Sequence, residues 1–146
     1  MKTLVVLAVS IVLVGILFCP MVMAAPPMPD DLQMVQPDPS LPKELSAFFG
    51  KWEGSDVNMQ FFLIIEKIDK EKASVLWWQS GYPSAGVMQG WFRREANVSK
   101  ERGKYKLWFA SRAGGINELT LKGENLEAVW PSLVDRLNMI RFRRVP

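Results

Sequence analysis

The sequence predicts an all-β fold, an antiparallel eight-stranded up-and-down meander closing into a small barrel, preceded by a signal peptide and a Pro-rich tether. Three observations carry this prediction. Turn-forming residues recur about every ten positions from residue 49 onward. The stretches between them are rich in aromatic and β-branched side chains, and no helix-length segment interrupts them. Short connections favour antiparallel neighbours, and closing the meander removes exposed strand edges. The interior of such a barrel is either filled by side chains or able to hold one small ligand.

The N-terminus has the parts of a secretory leader: the basic Lys2, an uncharged apolar run at 4–18, and Val22-Met23-Ala24 before the expected cleavage after Ala24 or Ala25. Two alternatives stay open. Residues 4–25 would just cross a hydrocarbon core of roughly 30 Å if retained as a helix, and Cys19 offers a site for lipid attachment, although Phe18 and Pro20 fit that motif poorly. The expected destination is export, to the periplasm or the extracellular space. The domain plan is therefore signal peptide 1–25, Pro-rich linker 26–43 and barrel domain 44–146.

Without the leader the chain has neither cysteine nor histidine, because Cys19 is the single cysteine and histidine is absent throughout. An exported domain without a disulfide must be held by its apolar core. About 105 residues suffice for one such core and not for two. The 18 basic residues fall to 17 without Lys2, against 15 acidic ones, so the mature charge is +2. That near balance gives no sign of nucleic-acid binding.

The linker holds six of the ten prolines together with Asp30, Asp31 and Asp38. At this density proline denies helix and ladder hydrogen bonds, so an extended, polyproline-like tether is expected. Residues 41–49, with Pro42 near the start and Leu45, Phe48 and Phe49 as apolar positions, predict one short helical turn. Eight strands are expected at 49–54, 59–68, 73–79, 87–96, 104–111, 116–121, 126–130 and 137–144. The second, with Phe61-Phe62-Leu63-Ile64-Ile65, is apolar on both faces. Its outer face needs a cover, which the Pro-rich segment, a partner subunit in a homodimer or a membrane surface would supply, unless the strand is simply central in a sandwich.

Gly50 and Trp52, in the stretch Phe48-Phe49-Gly50-Lys51-Trp52-Glu53-Gly54, resemble the Gly-x-Trp on the first strand of lipocalins and related calycin barrels. The resemblance implies that the tryptophan packs at the closed end of the barrel with a basic side chain of the last strand across its face. That strand offers Arg141, Arg143 and Arg144 around Ile140 and Phe142, and Arg141 and Arg143 are assigned to closure here with Gly50 and Trp52. A guanidinium over an indole contributes roughly 0.5–2 kcal/mol. The chain is shorter than the longer lipocalins and lacks their disulfide, central-strand motif and C-terminal helix. It is more similar to short lipocalin-like domains of exported bacterial proteins, which implies a fold and a compartment and leaves the ligand open.

The remaining tryptophans are the lead toward function. Trp77, Trp91, Trp108 and Trp130, with Tyr82 in the long 80–86 loop, are the expected ligand-binding residues. Packing is the ordinary explanation for each tryptophan taken singly. Adjacent Trp77 and Trp78 must point to opposite faces of the sheet. The expected ligand is a small apolar or amphipathic molecule, carried or sensed inside the barrel. The alternative is a protein-interaction module or enzyme inhibitor using exposed aromatics and loops. An open interior favours the first, a filled core with apolar surface the second. A membrane contact is expected only through an uncleaved leader.

Catalysis is not expected. Histidine and mature cysteine are missing, which removes Ser-His and thiolate nucleophiles and nitrogen or sulfur metal sites. Ser84, Lys106, Glu66, Glu95 and Glu118 remain as side chains that would have to converge in space, and no spacing singles them out. Gly114-Gly115 lacks the features of a phosphate loop, and no cofactor or metal is expected. Asn97-Val98-Ser99 formally fits a glycosylation sequon at an expected strand end.

Overall fold

In the computed structural model, which describes residues 26–110, 115–131 and 137–146, eight antiparallel strands follow one another around a closed barrel. They are β1 (Gly50–Ser55), β2 (Gln60–Ile68), β3 (Lys72–Gln79), β4 (Gly90–Glu101), β5 (Lys104–Ala110), β6 (Ile116–Lys122), β7 (Asn125–Pro131) and β8 (Leu137–Val145). A one-turn helix, α1 (Lys43–Ser46), precedes them. This is the all-β meander expected, an architecture compatible with a lipocalin-like fold. The leader lies outside the described residues.

The meander gives the barrel two distinct ends. The β2–β3, β4–β5 and β6–β7 hairpins share one end with α1, and Leu41, Leu45 and Phe48 join the core there as a cap. The described connections at 56–59 and 80–89 lie at the far end. The core itself is built by strand alternation, with Trp52, Phe61, Leu63, Ile65, Val75, Leu107, Leu119, Leu126, Ile140 and Phe142 all turned inward and buried.

Two element boundaries differ from expectation by more than one residue, each for a physical reason. β4 runs on to Glu101 because the tight turn is made by Arg102 (φ 48°) and Gly103 (φ 80°), both left-handed, between the paired Glu101 and Lys104. Two such residues give the backbone twist of a type I′ hairpin. Asn97 therefore sits inside β4, opposite Lys72 and Trp108, and not at a strand end. At the other boundary β4 begins only at Gly90, so Val87, Met88 and Gln89 extend the loop after β3, which holds a 3-10 turn at Pro83–Ala85 and a Tyr82–Val87 bridge.

Closure is made by the arginine next to the two assigned to it. The Arg144 guanidinium lies 4.1 Å from the Trp52 ring centroid, while Arg143 pairs with Glu53 and Arg141 with Glu127 on the outer wall. Parity is the reason: Ile140 and Phe142 point inward, so Arg144 shares their face and Arg141 and Arg143 do not. Arg144 also donates to the carbonyls of Phe49 (2.7 Å) and Ala47 (2.5 Å), and Trp52 Nε1 donates to Phe48 O at 3.0 Å. Burial draws the Arg144 pKa below its usual value, as expected for a guanidinium partly withdrawn from water.

Gly50 makes that stacking possible. Its φ is +123°, and a Cβ there would lie 2.6 Å from Arg144 Nη1. Gly50→Ala should cost about 1–3 kcal/mol, the scale of a strained backbone position, read as a shift in urea midpoint. An unchanged midpoint would show that neither the strain nor the contact matters.

Candidate functional site

The Pro-rich segment forms neither helix nor strand, but it is broken by turns at Pro29–Leu32 and Asp38–Leu41 and is no free tether. It lies along the outer wall of β2, β3 and β4 as a strap. Trp91 Nε1 donates to Pro27 O (2.9 Å), Val35 N to Glu66 O (2.8 Å), and Arg93 reaches both the carboxylate and the carbonyl of Asp31. The outward apolar residues Ile64, Leu76 and Trp78 are consequently buried. Of the covers foreseen for the second strand, the Pro-rich segment is the one observed.

A carboxylate stands at the centre of this contact. β2 carries a bulge between Ile65 and Lys67, and the extra residue is Glu66, 3% exposed. A bulge redirects a side chain from the ladder. Here the carboxylate accepts from Arg93 Nε (2.9 Å) and Nη2 (3.0 Å), from Ser74 Oγ (2.8 Å) and from the Gln33 N–H (3.4 Å). Burial alone would raise its pKa, but the hydrogen bonds from Arg93, Ser74 and Gln33 together outweigh it and hold the carboxyl below its usual value. The Arg93 hydrogen bond likewise lowers Asp31, and the two carboxylates raise Arg93.

The expected ligand-binding residues do not converge. Trp77 points inward and makes a three-ring cluster with Phe61 (5.6 Å) and Phe142 (5.8 Å), all edge-on, across the lumen. Trp91 faces outward, paired with outward Trp78 at 6.5 Å between ring centroids, under the strap. Trp108 is also outward, since its neighbours Leu107 and Phe109 are core residues and its strand partners are Asn97 and Glu118. Trp130 lies on β7 opposite Asn138, and its side chain is outside the described residues. Tyr82 is exposed in the 80–89 loop. Parity was legible for the adjacent Trp77 and Trp78, whereas the inward or outward assignment of Trp91 and Trp108 needed the register.

Nor do the side chains considered for catalysis assemble. Lys106 pairs with Glu118 and Glu101 on the outer wall, Lys72 with Glu95, and Ser84 sits exposed at the far end. Glu66 is engaged by Arg93. Among the described residues no group of three potential metal ligands occurs. Two depressions, of about 380 and 460 Å³, lie beside Lys67 and Asp69 and between β1, β2 and β8. Neither is lined by a tryptophan.

What the far end does present is apolar surface. Val57 is 97% exposed, Met88 76% and Ile116 52%, and Tyr82 is exposed in the 80–89 loop that also holds Met88. Residues 56–59 carry one charge, Asp56, and residues 80–89 none, while the sequence between β5 and β6 and between β7 and β8 adds Arg112, Asp135 and Arg136. By contrast the capped-end turns hold Asp69, Lys70, Glu71, Arg102 and Glu124, flanked by Lys72, Glu101, Lys104 and Lys122. Sequence patterning alone does not reveal this polarity, because it emerges only when alternate turns are gathered at one end. No protein-family model, curated protein or solved structure matches this chain significantly.

Proposed function

We propose that this chain is an exported, non-catalytic binding protein whose working surface is the far end of the barrel and whose target is apolar or amphipathic. The observation that carries the reading is the exposed apolar set Val57, Tyr82, Met88 and Ile116 at the far end, with the 80–89 connection free of charge, against the densely charged turns of the capped end. Apolar side chains clustered on a rim and bordered by polar surface are a common mark of an interaction site. The absence of histidine and mature cysteine supports a role without catalysis. Export rests on the leader sequence.

A second reading, a carrier with its ligand in the lumen, draws on one specific feature. Phe92 and Trp77 stand opposite one another on the inner face, and Trp77 meets Phe61 and Phe142 edge-on, so aromatic rings line this part of the interior. A ligand entering there would displace the Phe61–Trp77–Phe142 contacts.

Dodecylphosphocholine, kept below its micelle concentration and titrated against intrinsic tryptophan fluorescence, separates the two. For a far-end surface, the pair Met88→Asp with Ile116→Asp should weaken binding roughly tenfold, the effect of losing about 1.4 kcal/mol of apolar contact, with Trp77→Ala near wild type. The reverse pattern supports the carrier. No saturable response in the wild type would count against both.

A further inference from the structure

We infer that the outer wall of β2, β3 and β4 also accepts the strap of a second copy, so that two chains form a dimer by reciprocal strap exchange. This surface is separate from the far end and its role does not depend on it. The contacts that seat the strap run from residues 26–35 to the barrel: Trp91 Nε1 to Pro27 O, Arg93 to Asp31, the Gln33 N–H to the Glu66 carboxylate and the Val35 N–H to Glu66 O. Another copy's strap would remake each of them unchanged, because the two segments have the same sequence. Exchange of an identical element needs no new complementarity, which makes it a low-cost route to a dimer. A foreign proline-rich segment would meet the same indole and guanidinium, but the strap is the sequence shown to fit, down to the carboxylate at Arg93.

Two features favour exchange. The strap buries the wall without burying itself: no residue from Pro27 to Ser40 is buried, whereas Ile64, Leu76 and Trp78 on the wall are. The wall therefore needs a cover, and the cover is held by a few polar contacts rather than by side chains of its own locked into the core. The second feature is a hinge. Residues 36–40, between the last wall contact at Val35 and the core residue Leu41, make no hydrogen bond to the barrel among the described residues. Their turn is closed by Leu41 N to Asp38 O (2.9 Å) and Ser40 N to Asp38 Oδ1 (2.7 Å). Pro37 and Pro39 flank Asp38 and favour the extended backbone that a strap reaching a neighbour requires. Opening this turn frees residues 26–35 from their own barrel with every strand pairing intact. The tethered strap competes at an effective concentration of about 1 mM, the order given by a short linker, so the chain is monomeric when dilute and exchanges when concentrated.

Sedimentation velocity on two variants of the whole purified chain tests this. Asp31→Lys sets a cation against Arg93 of its own barrel. Arg93→Glu, made together with Glu66→Gln so that no buried carboxylate loses its cation, sets a carboxylate against its own Asp31. Each variant alone mismatches strap and wall. A mixture matches both, since the introduced lysine meets the introduced glutamate while the native Asp31 of one chain meets the native Arg93 of the other. The mixture should therefore dimerise at a concentration about tenfold or more below that of either variant alone. The wild type concentrated to about 1 mM should show a dimer fraction that dilution reverses, and Asp38→Pro, which removes the turn between Pro37 and Pro39, should raise that fraction several-fold. Monomers throughout would overturn the proposal. So would a dimer that Met88→Asp with Ile116→Asp abolishes while Asp31→Lys leaves it intact, because that interface would lie at the far end. If the double variant does not fold, the wild type and Asp38→Pro decide between them, and equal dimer fractions in the two would refute exchange through this hinge. A chain that stays monomeric but binds an unrelated proline-rich peptide would give the wall to another protein and end the case for a second copy.

Discussion

Trp52→Ala should destabilise the protein by about 3–5 kcal/mol, the range for truncating a buried aromatic side chain. Trp52 is fully buried, its Nε1 donates to Phe48 O, and Arg144 covers its ring. The substitution would therefore open a cavity where three pieces meet: the cap around Phe48, the first strand and the last. β1 pairs with β2 along its length and with β8 from Lys51 to Gly54, so it is the seam by which the meander becomes a barrel. Equilibrium unfolding in urea gives the measurement, with Trp52→Phe as the companion. Phenylalanine keeps much of the volume but lacks the N–H, so it should cost only about 1–2 kcal/mol. A loss for Trp52→Ala below about 1 kcal/mol, the scale of a surface change, would remove closure from the description of this residue.

The seam was legible because its signal is local. Gly50 and Trp52 stand two apart on a strand; the cation on the indole is expected from sequence at Arg141 or Arg143, and only the inward parity of Ile140 and Phe142, fixed by the structure, selects Arg144. The strand succession was legible for the same reason, since alternation and turn residues are short-range patterns. β4 was misjudged at both ends because Asn97, Ser99 and Lys100 are polar enough to read as a turn, while the residues that bend the chain are Arg102 and Gly103.

The strap was hidden from its own sequence. A proline-rich stretch has no periodicity to announce what it touches, so composition described its lack of helix and strand and left its docking unstated. The signal lay on the other partner: β2 is apolar on both faces, and the row Phe62, Trp78, Trp91 continues that surface across β3 and β4. Such a wall demands a cover, and Glu66 gave it an address. Of the tryptophans expected to line the interior, Trp77 does so, while Trp91 and Trp108 do not, for a related reason. Two of the indoles counted toward a cavity are Trp91 and Trp108, and both belong to the outer wall, the first of them to the strap's footing.

Arg93→Met tests that footing. The substitution removes the cation facing a carboxylate that stays buried on the β2 bulge with Ser74 as its remaining side-chain donor. Breaking a fully buried pair costs about 3–5 kcal/mol, but the Arg93 side chain is 40% exposed, so about 2–3 kcal/mol is expected. The strap should loosen before the barrel does, with faster amide exchange at Val35 and a red-shifted emission from Trp91. The pH dependence distinguishes an ion pair from simple packing. In the wild type Glu66 sits below its usual 4.5 and Asp31 below its usual 3.8, so their contribution is complete above those values and is lost as pH falls through the lower folded ones. Strap release should accordingly begin only in acid. With Arg93 gone, only Ser74 and the Gln33 N–H still oppose burial, so the Glu66 pKa rises relative to the wild type and the loss of stability in acid should shrink. Glu66→Gln placed in the Arg93→Met background should recover part of the lost stability and flatten the pH dependence further. Parallel pH profiles for wild type and variant would mean that the Arg93 ion pair does not hold the strap.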